Sequence, residues 1–231
     1  MRKKKILTFS YDDATLQDIR LIELFNKYNM KATFNINSEC LGREEYLMRE
    51  GVRVGHIKVN PEDVKHIYEG HEVAAHTLTH PALKNLSDED VIREVEQDRI
   101  NLSELCGYEV VGMAYPCGSS HYTPYQAEVI RNNTGIKYAR GTISCHNFDI
   151  QQDLLNFKPT VYHHGEMDKM FELGEKFLNL KTDKTQIFYV WGHSFEFDIH
   201  NSWDRFEEFL KMMANKDDIS YCTNKEALLN L

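Results

Sequence analysis

Short apolar runs alternate along the chain with longer stretches in which apolar residues return every three or four positions. The run ILTF at 6–9 is followed by 16–29, where Leu16, Ile19, Leu21, Ile22, Leu24 and Phe25 gather on one side of a helix, and then by ATFNI at 32–36. A strand repeats every two residues and a helix every 3.6, so these three segments predict a strand, an amphipathic helix and a second strand. The same reading predicts strands at 72–75, 110–114, 137–139, 187–191 and 219–222, with helices at 88–105, 124–133, 167–178 and 203–213 and a short extra helix at 62–68. Ser87 stands at the cap position of the helix at 88–105, with Asp90 three residues on as an acidic substitute for the usual Glu. Strands joined by helices imply an α/β fold with a mainly parallel sheet, and this many units in 231 residues imply a barrel or partial barrel. With no repeat, linker or low-complexity tract, residues 1–231 are expected to form one domain.

Composition narrows the function classes. The 27 Lys and Arg against 36 Asp and Glu leave a net charge of −9, which disfavours nucleic acid or an anionic membrane as the main partner. Five cysteines, at 40, 106, 117, 145 and 222, form no CxxC pair and are odd in number, so reduced thiols fit better than a disulfide framework or a Cys-based zinc site. The N-terminal MRKKKILTFSYDDA breaks its apolar stretch at Ser10, too early for a signal peptide, and no later segment has the apolar length of a membrane span. A cytoplasmic protein is the expectation.

Reactive residue types follow directly after the predicted strands: Asp12 and Asp13, His76 and His80, the segment 116–118, Arg140, and His193. In a parallel α/β barrel the carboxyl ends of all strands share one face, so residues remote in sequence would converge there. Each signal has a plain structural alternative. Asp12 or Asp13 could cap the following helix, or the pair could aim two carboxylates at one site where the chain leaves its strand. The HxxxH of His76 and His80 could be two surface histidines; joined to an Asp at another strand end, it becomes a three-ligand site with open positions, as a catalytic zinc needs. His193 could be structural, or the acid that a hydrolase requires for its leaving group.

Taken together, LTFSYDDA at 7–14, HTLTH at 76–80, AYPCG at 114–118 and VWGH at 190–193 resemble the NodB-like polysaccharide deacetylases, carbohydrate esterase family 4, in order and spacing. The resemblance implies a distorted (β/α)7 barrel and removal of acetyl groups from N- or O-acetylated sugars, with an acetylated glycan as the partner. It implies Asp12 as catalytic base, Asp13, His76 and His80 as ligands of a divalent cation, His193 as the acid, and the backbone N–H of Cys117 as oxyanion donor. Zinc is the cation it implies, with cobalt or nickel as alternatives.

Two positions depart from the family. Ala114 stands where the third motif has an Arg that orients the catalytic Asp, and the Asp-Trp pair of the fourth motif has no clean counterpart between Arg140 and Thr160. Asp149 and Asp153 are either candidates for its carboxylate or solvated loop acids. Arg140 would emerge on the barrel's active face with a side chain long enough to reach Asp12, or else it is a surface residue at a strand end. Two other functions share these residues: hydrolysis of a C–N bond in a small cyclic amide or formamide, and a non-catalytic glycan-binding relative. The presence of base, ligands and acid together favours an enzyme.

Overall fold

The first strand organises the architecture. In the computed structural model, which describes residues 3–230, β1 (Lys5–Asp12) is buried at all eight positions. Leu7, Phe9 and Tyr11 point to one side and pack with Phe25 of α1 (Gln17–Lys27), while Ile6, Thr8, Ser10 and Asp12 alternate to the other. A strand covered on both faces reads as a continuous buried run, which is how parallel sheets under helices behave.

The remaining elements follow as β2 (Thr33–Ile36), β3 (Glu44–Arg49), β4 (Val52–Ile57), α2 (Val64–Ile67), β5 (Glu72–Ala75), α3 (Asp88–Ile92), α4 (Asp98–Cys106), β6 (Gly112–Ala114) and α5 (Pro124–Asn133). Then come β7 (Tyr138–Arg140), β8 (Val161–Tyr162), α6 (Met167–Asn179), β9 (Gln186–His193), α7 (Glu196–Ile199), α8 (Trp203–Met213), β10 (Ile219–Tyr221) and α9 (Asn224–Leu229). Seven strands run in the order β7-β6-β5-β2-β1-β9-β8, and β10 adds to β1 as the eighth. All of these pairs are parallel, so the strands' carboxyl ends lie on one side. β9 pairs β1 along its whole length, from Lys5 opposite Gln186 to Asp12 opposite His193. A single bridge from Arg140 to Phe157 links β7 to the stretch that leads into β8. The sheet therefore curls into the distorted (β/α) barrel of the NodB type, with one short junction in place of a full ladder.

The barrel interior holds polar groups that are paired. Asn35 Nδ2 donates to Ser10 Oγ and Asp12 Oδ1, and Asn224 Nδ2 donates to Thr8 Oγ1. Asn224 opens α9, whose Ala227 and Leu228 pack on Ile6 and plug the end of the barrel away from the strands' carboxyl ends. Leaving such buried groups unpaired would cost about 1–3 kcal/mol each.

The structure departs from the sequence pattern in several places. The helix expected at 88–105 begins at its Ser87 cap, whose Oγ accepts from Asp90 N–H, but it is interrupted by a π-helical turn over Arg93–Gln97. The cause is the loop after β5: the Glu94 carbonyl accepts the N–H of Leu78, and its carboxylate accepts from Thr79 N–H and Oγ. Strands β3 and β4 form an antiparallel hairpin that the pattern did not predict. Its two-residue turn has Glu50 and Gly51 both at positive φ, +52° and +80°, the conformation that matches hairpin twist. The short β8, α7 and α9 were also not predicted. No helix among the described residues is long and apolar enough to cross a membrane, and Cys40, Cys106, Cys117 and Cys145 are free thiols.

Candidate functional site

Asp12 is the last residue of β1, and the chain then turns through two left-handed residues, Asp13 at φ +84° and Ala14 at φ +51°. The turn is held by Asp13 N–H to Asn35 O at 3.0 Å and by Lys58 Nζ to Asp13 O at 2.6 Å. It lets two adjacent carboxylates face one opening. Neither caps a helix: the residue before α1 is Leu16, with no side-chain cap. Thr77, His80 and Cys117 are also at positive φ, so non-glycine backbone strain gathers around this opening, as it does at functional sites.

Arg140 reaches Asp12. Its Nη2 donates to Oδ1 at 2.6 Å and Oδ2 at 2.5 Å, and Asn35 Nδ2 donates to Oδ1 at 2.7 Å. The guanidinium is fully buried, gives a further hydrogen bond to Gly141 O, and lies 4.3 Å from the Trp191 ring centre. Arg140 thus stands beside Asp12 in the interior, on the neighbouring side of the barrel from the Ala114 position.

His76 and His80 lie on a loop, since the left-handed Thr77 and His80 wrap the chain. His76 Nδ1 lies 2.8 Å from Ala114 O, an acceptor, so Nδ1 carries the proton and Nε2 is left bare. That Nε2 faces Asp12 Oδ2 at 3.9 Å and Asp13 Oδ1 at 4.0 Å, too far for hydrogen bonds. Donor atoms of Asp13, His76 and His80 all lie within 4.8 Å of one another. Burial lowers the pKa of His76 and takes His80 to about 4, so both imidazoles are neutral and keep a free electron pair. For Asp13, burial opposes ionisation, but the hydrogen bond from His56 and the Lys58 charge prevail and hold it well below the carboxylate range. One carboxylate and two neutral imidazoles, with the His76 ring fixed through its other nitrogen, form a donor set that fits zinc, cobalt or nickel.

His193 ends β9 in register with Asp12. Its Nε2 is 4.0 Å from Asp13 Oδ2, and its Nδ1 is 3.0 Å from Glu196 Oε1, in an ion pair off the line of a hydrogen bond. Glu196 also meets His163 Nε2 at 3.1 Å, accepts the His193 N–H at 3.0 Å and accepts the Tyr162 hydroxyl. His163 Nδ1 in turn takes the Tyr11 hydroxyl at 3.0 Å. Burial would lower the His193 pKa, but Glu196 and the two aspartates outweigh it and raise it to about 9.

Several residues of this site were not read from the sequence. His56 Nε2 lies 3.1 Å from Asp13 Oδ2 and Lys58 Nζ 3.6 Å from Oδ1. Both come from the β4 side of the unpredicted hairpin, where the alternation in VRVGHIK was the available signal. Asp149 and Asp153 do not supply the carboxylate beside His193. Asp149 accepts from Gln186, and Asp153 accepts from Leu155 N–H and pairs with Arg131. Glu196, three residues beyond His193 at the start of α7, takes that place. Cys117 stands at φ +60° beside His80, its thiol donating to the His80 carbonyl at 3.4 Å. Burial and then Asp13 raise the thiol's pKa, so it stays protonated and is a poor nucleophile. All of the residues in the sequence-derived set except the buried Arg140 line one groove of about 570 Å³, with Trp191, Tyr162 and the hairpin residues Arg49 and Glu50 among its walls.

The groove's fold has known counterparts. The chain is similar to a putative polysaccharide deacetylase from Mycobacterium smegmatis, with 15% identity over 99% of this chain and 90% of that one and a TM-score of 0.69. It is similar to a family 4 acetyl xylan esterase from Clostridium thermocellum in complex with a cobalt ion, with 15% identity, 97% and 91% coverage and a TM-score of 0.56. It is also similar to the Streptococcus pyogenes deacetylase PplD in complex with acetate, with 19% identity and a TM-score of 0.51; that match covers 64% of this chain and 61% of PplD, so it spans less than two thirds of that protein. At these identities the likeness shows a shared fold. No curated protein matches the chain. The profile of the polysaccharide deacetylase family matches residues 1–139 of the 231, and with more than half of its length so matched the chain belongs to the polysaccharide deacetylase family.

Proposed function

We propose that this chain is a single catalytic domain that removes acetyl groups from carbohydrate with the help of one divalent cation. One observation carries the reading: the donor atoms of Asp13, His76 and His80 converge within 4.8 Å, beside an arginine-held carboxylate and a glutamate-held histidine.

Asp13, His76 and His80 would hold the cation, which when bound supplies Lewis acidity toward the acetyl carbonyl and toward water. Zinc suits the donors best, and cobalt or nickel would also serve. Asp12, fixed by Arg140 and Asn35, takes a proton from the attacking water as its oxygen bonds to the acetyl carbon. The backbone N–H of Cys117 helps hold the resulting oxyanion. His193, kept charged by Glu196, gives a proton to the departing nitrogen or oxygen as its bond to the acetyl carbon breaks. The products are acetate and the free amine or hydroxyl. Arg140 is a positioning residue in this scheme, because it acts through Asp12. A groove of about 570 Å³ is within the range of small-molecule sites and suits a short acetylated saccharide or a residue of a longer one.

The test is acetate release from acetylated chitooligosaccharides and acetylxylan, set against ring opening of cyclic amides, with metal-stripped and metal-restored protein. Asp12→Asn and His193→Ala should each retain metal and lose most turnover. Turnover of a cyclic amide with no acetate released from any saccharide would move the function to C–N hydrolysis in a small molecule.

A further inference from the structure

A second group of metal-ligating side chains lies outside the site described above. Glu50 at the tip of the β3-β4 hairpin, His164 just after β8 and His200 just after α7 have donor atoms that all lie within 4.8 Å of one another. His164 Nε2 meets Glu50 Oε1 at 2.8 Å, and His200 Nε2 meets the other oxygen, Oε2, at 3.0 Å. The two rings stack, with centres 5.1 Å apart and planes 19° apart, so both Nε2 atoms present to the same carboxylate from one side. These three residues come from three separate segments, and each would otherwise gain little from an exposed ion pair.

From this arrangement we propose a second divalent-cation site at Glu50, His164 and His200. A carboxylate and two imidazoles are the protein donors of a zinc site with an open position. The donors need to close only from hydrogen-bond separations onto a common point, and Glu50 and His200 are each more than half exposed, so their side chains have room to turn. Water has access from both sides. His164 lies on the wall between the catalytic groove and a neighbouring cavity of about 650 Å³, Glu50 faces the groove, and His200 faces the cavity. On binding, both Nε2 lone pairs go to the cation, and each neutral ring carries its one proton on Nδ1. The consequence is mechanical: a cation here clamps the exposed hairpin, which carries Arg49, Glu50 and His56, to the rim of the barrel.

The experiment is titration of chelator-stripped protein with Zn²⁺ by calorimetry, paralleled by Co²⁺ absorption. Wild-type protein should take up two equivalents. His200→Ala and the His164→Ala, His200→Ala pair should each take up one, whereas His76→Ala should lose only the other. Hydrogen exchange across 44–57 should slow on filling the second site. Anomalous scattering at the zinc edge from wild-type crystals, which depends on no variant, should show a peak between Glu50, His164 and His200. Wild-type uptake of one equivalent that persists in the His164→Ala, His200→Ala pair, or the absence of that anomalous peak at saturating zinc, would overturn the proposal and leave the catalytic site standing. Wild-type uptake of one equivalent that survives His76→Ala and is lost in the His164→Ala, His200→Ala pair would do the reverse.

Discussion

Arg140→Ala removes a guanidinium that makes three buried hydrogen bonds, two to Asp12 and one to the Gly141 carbonyl, and that lies over Trp191. Asp12 is 2% exposed and would keep Asn35 as its remaining side-chain donor. Stripping one partner from a buried ion pair costs about 3–5 kcal/mol, because the other charge stays desolvated and unpaired. For a chain of this size each kcal/mol moves Tm by about 2–4 °C, so the midpoint should fall by roughly 6–20 °C. Turnover should fall roughly 10²-fold or more, since a base that is free to rotate loses much of its catalytic contribution. Metal content should not change, because Arg140 touches no member of the Asp13, His76, His80 trio. Arg140→Lys keeps a charge but loses the fork and the stacking surface, and should recover stability in part while kcat stays low. Arg140→Met combined with Asp12→Leu removes both charges and should recover stability with no activity, which separates the structural from the functional role. Differential scanning calorimetry, acetate release and metal analysis read all three quantities. A variant Arg140→Ala with wild-type kcat, and a Tm within about 2 °C of wild type, would refute this reasoning.

Three further outcomes can be checked. His76→Ala or His80→Ala should abolish metal retention at the catalytic site, read by elemental analysis after gel filtration, and full occupancy in the double variant would rule out the ligand assignment. A Cβ at Gly192 would come within 2.6 Å of the His163 ring, so Gly192→Ala should displace His163 and loosen Glu196, lowering kcat more than it raises KM; an unaltered kcat would show that His163 does not steady the pair. Burial takes the His71 pKa down to about 4, and its Nδ1 accepts the Ala32 N–H, so the proton is excluded from the folded state. The unfolded chain binds that proton below about pH 6.5, so stability is full above this pH and declines toward pH 4, by on the order of 3 kcal/mol. His71→Gln should flatten the fall in Tm between pH 7 and 5, and an unchanged slope would exclude His71 as its source.

The chain of strands and helices was legible because each element carries its own periodicity, and the carboxyl ends of parallel strands share a face whatever their sequence separation. Asp12, Asp13, His76, His80 and His193 could therefore be gathered from their positions after apolar runs. What the pattern could not show was the direction of a side chain once the sheet had curled. Arg140 was placed on the right face by order alone, but its contact with Asp12 depends on the single bridge to Phe157 and on Trp191 beneath the guanidinium, both supplied by distant segments. His56 and Lys58 stayed hidden because their hairpin is largely exposed, so no strong apolar alternation marks it, and its turn uses Glu-Gly in place of a stronger signal. Glu196 belongs to one turn of helix whose register is set by contact with His163 and Tyr162. The amino-acid order determined by itself the main parallel strands, the helices that join them and which reactive groups leave those strands at one end. Only the tertiary structure decided which carboxylate is held by Arg140 and which by His56 and Lys58, because those pairings are made between segments that no local propensity connects.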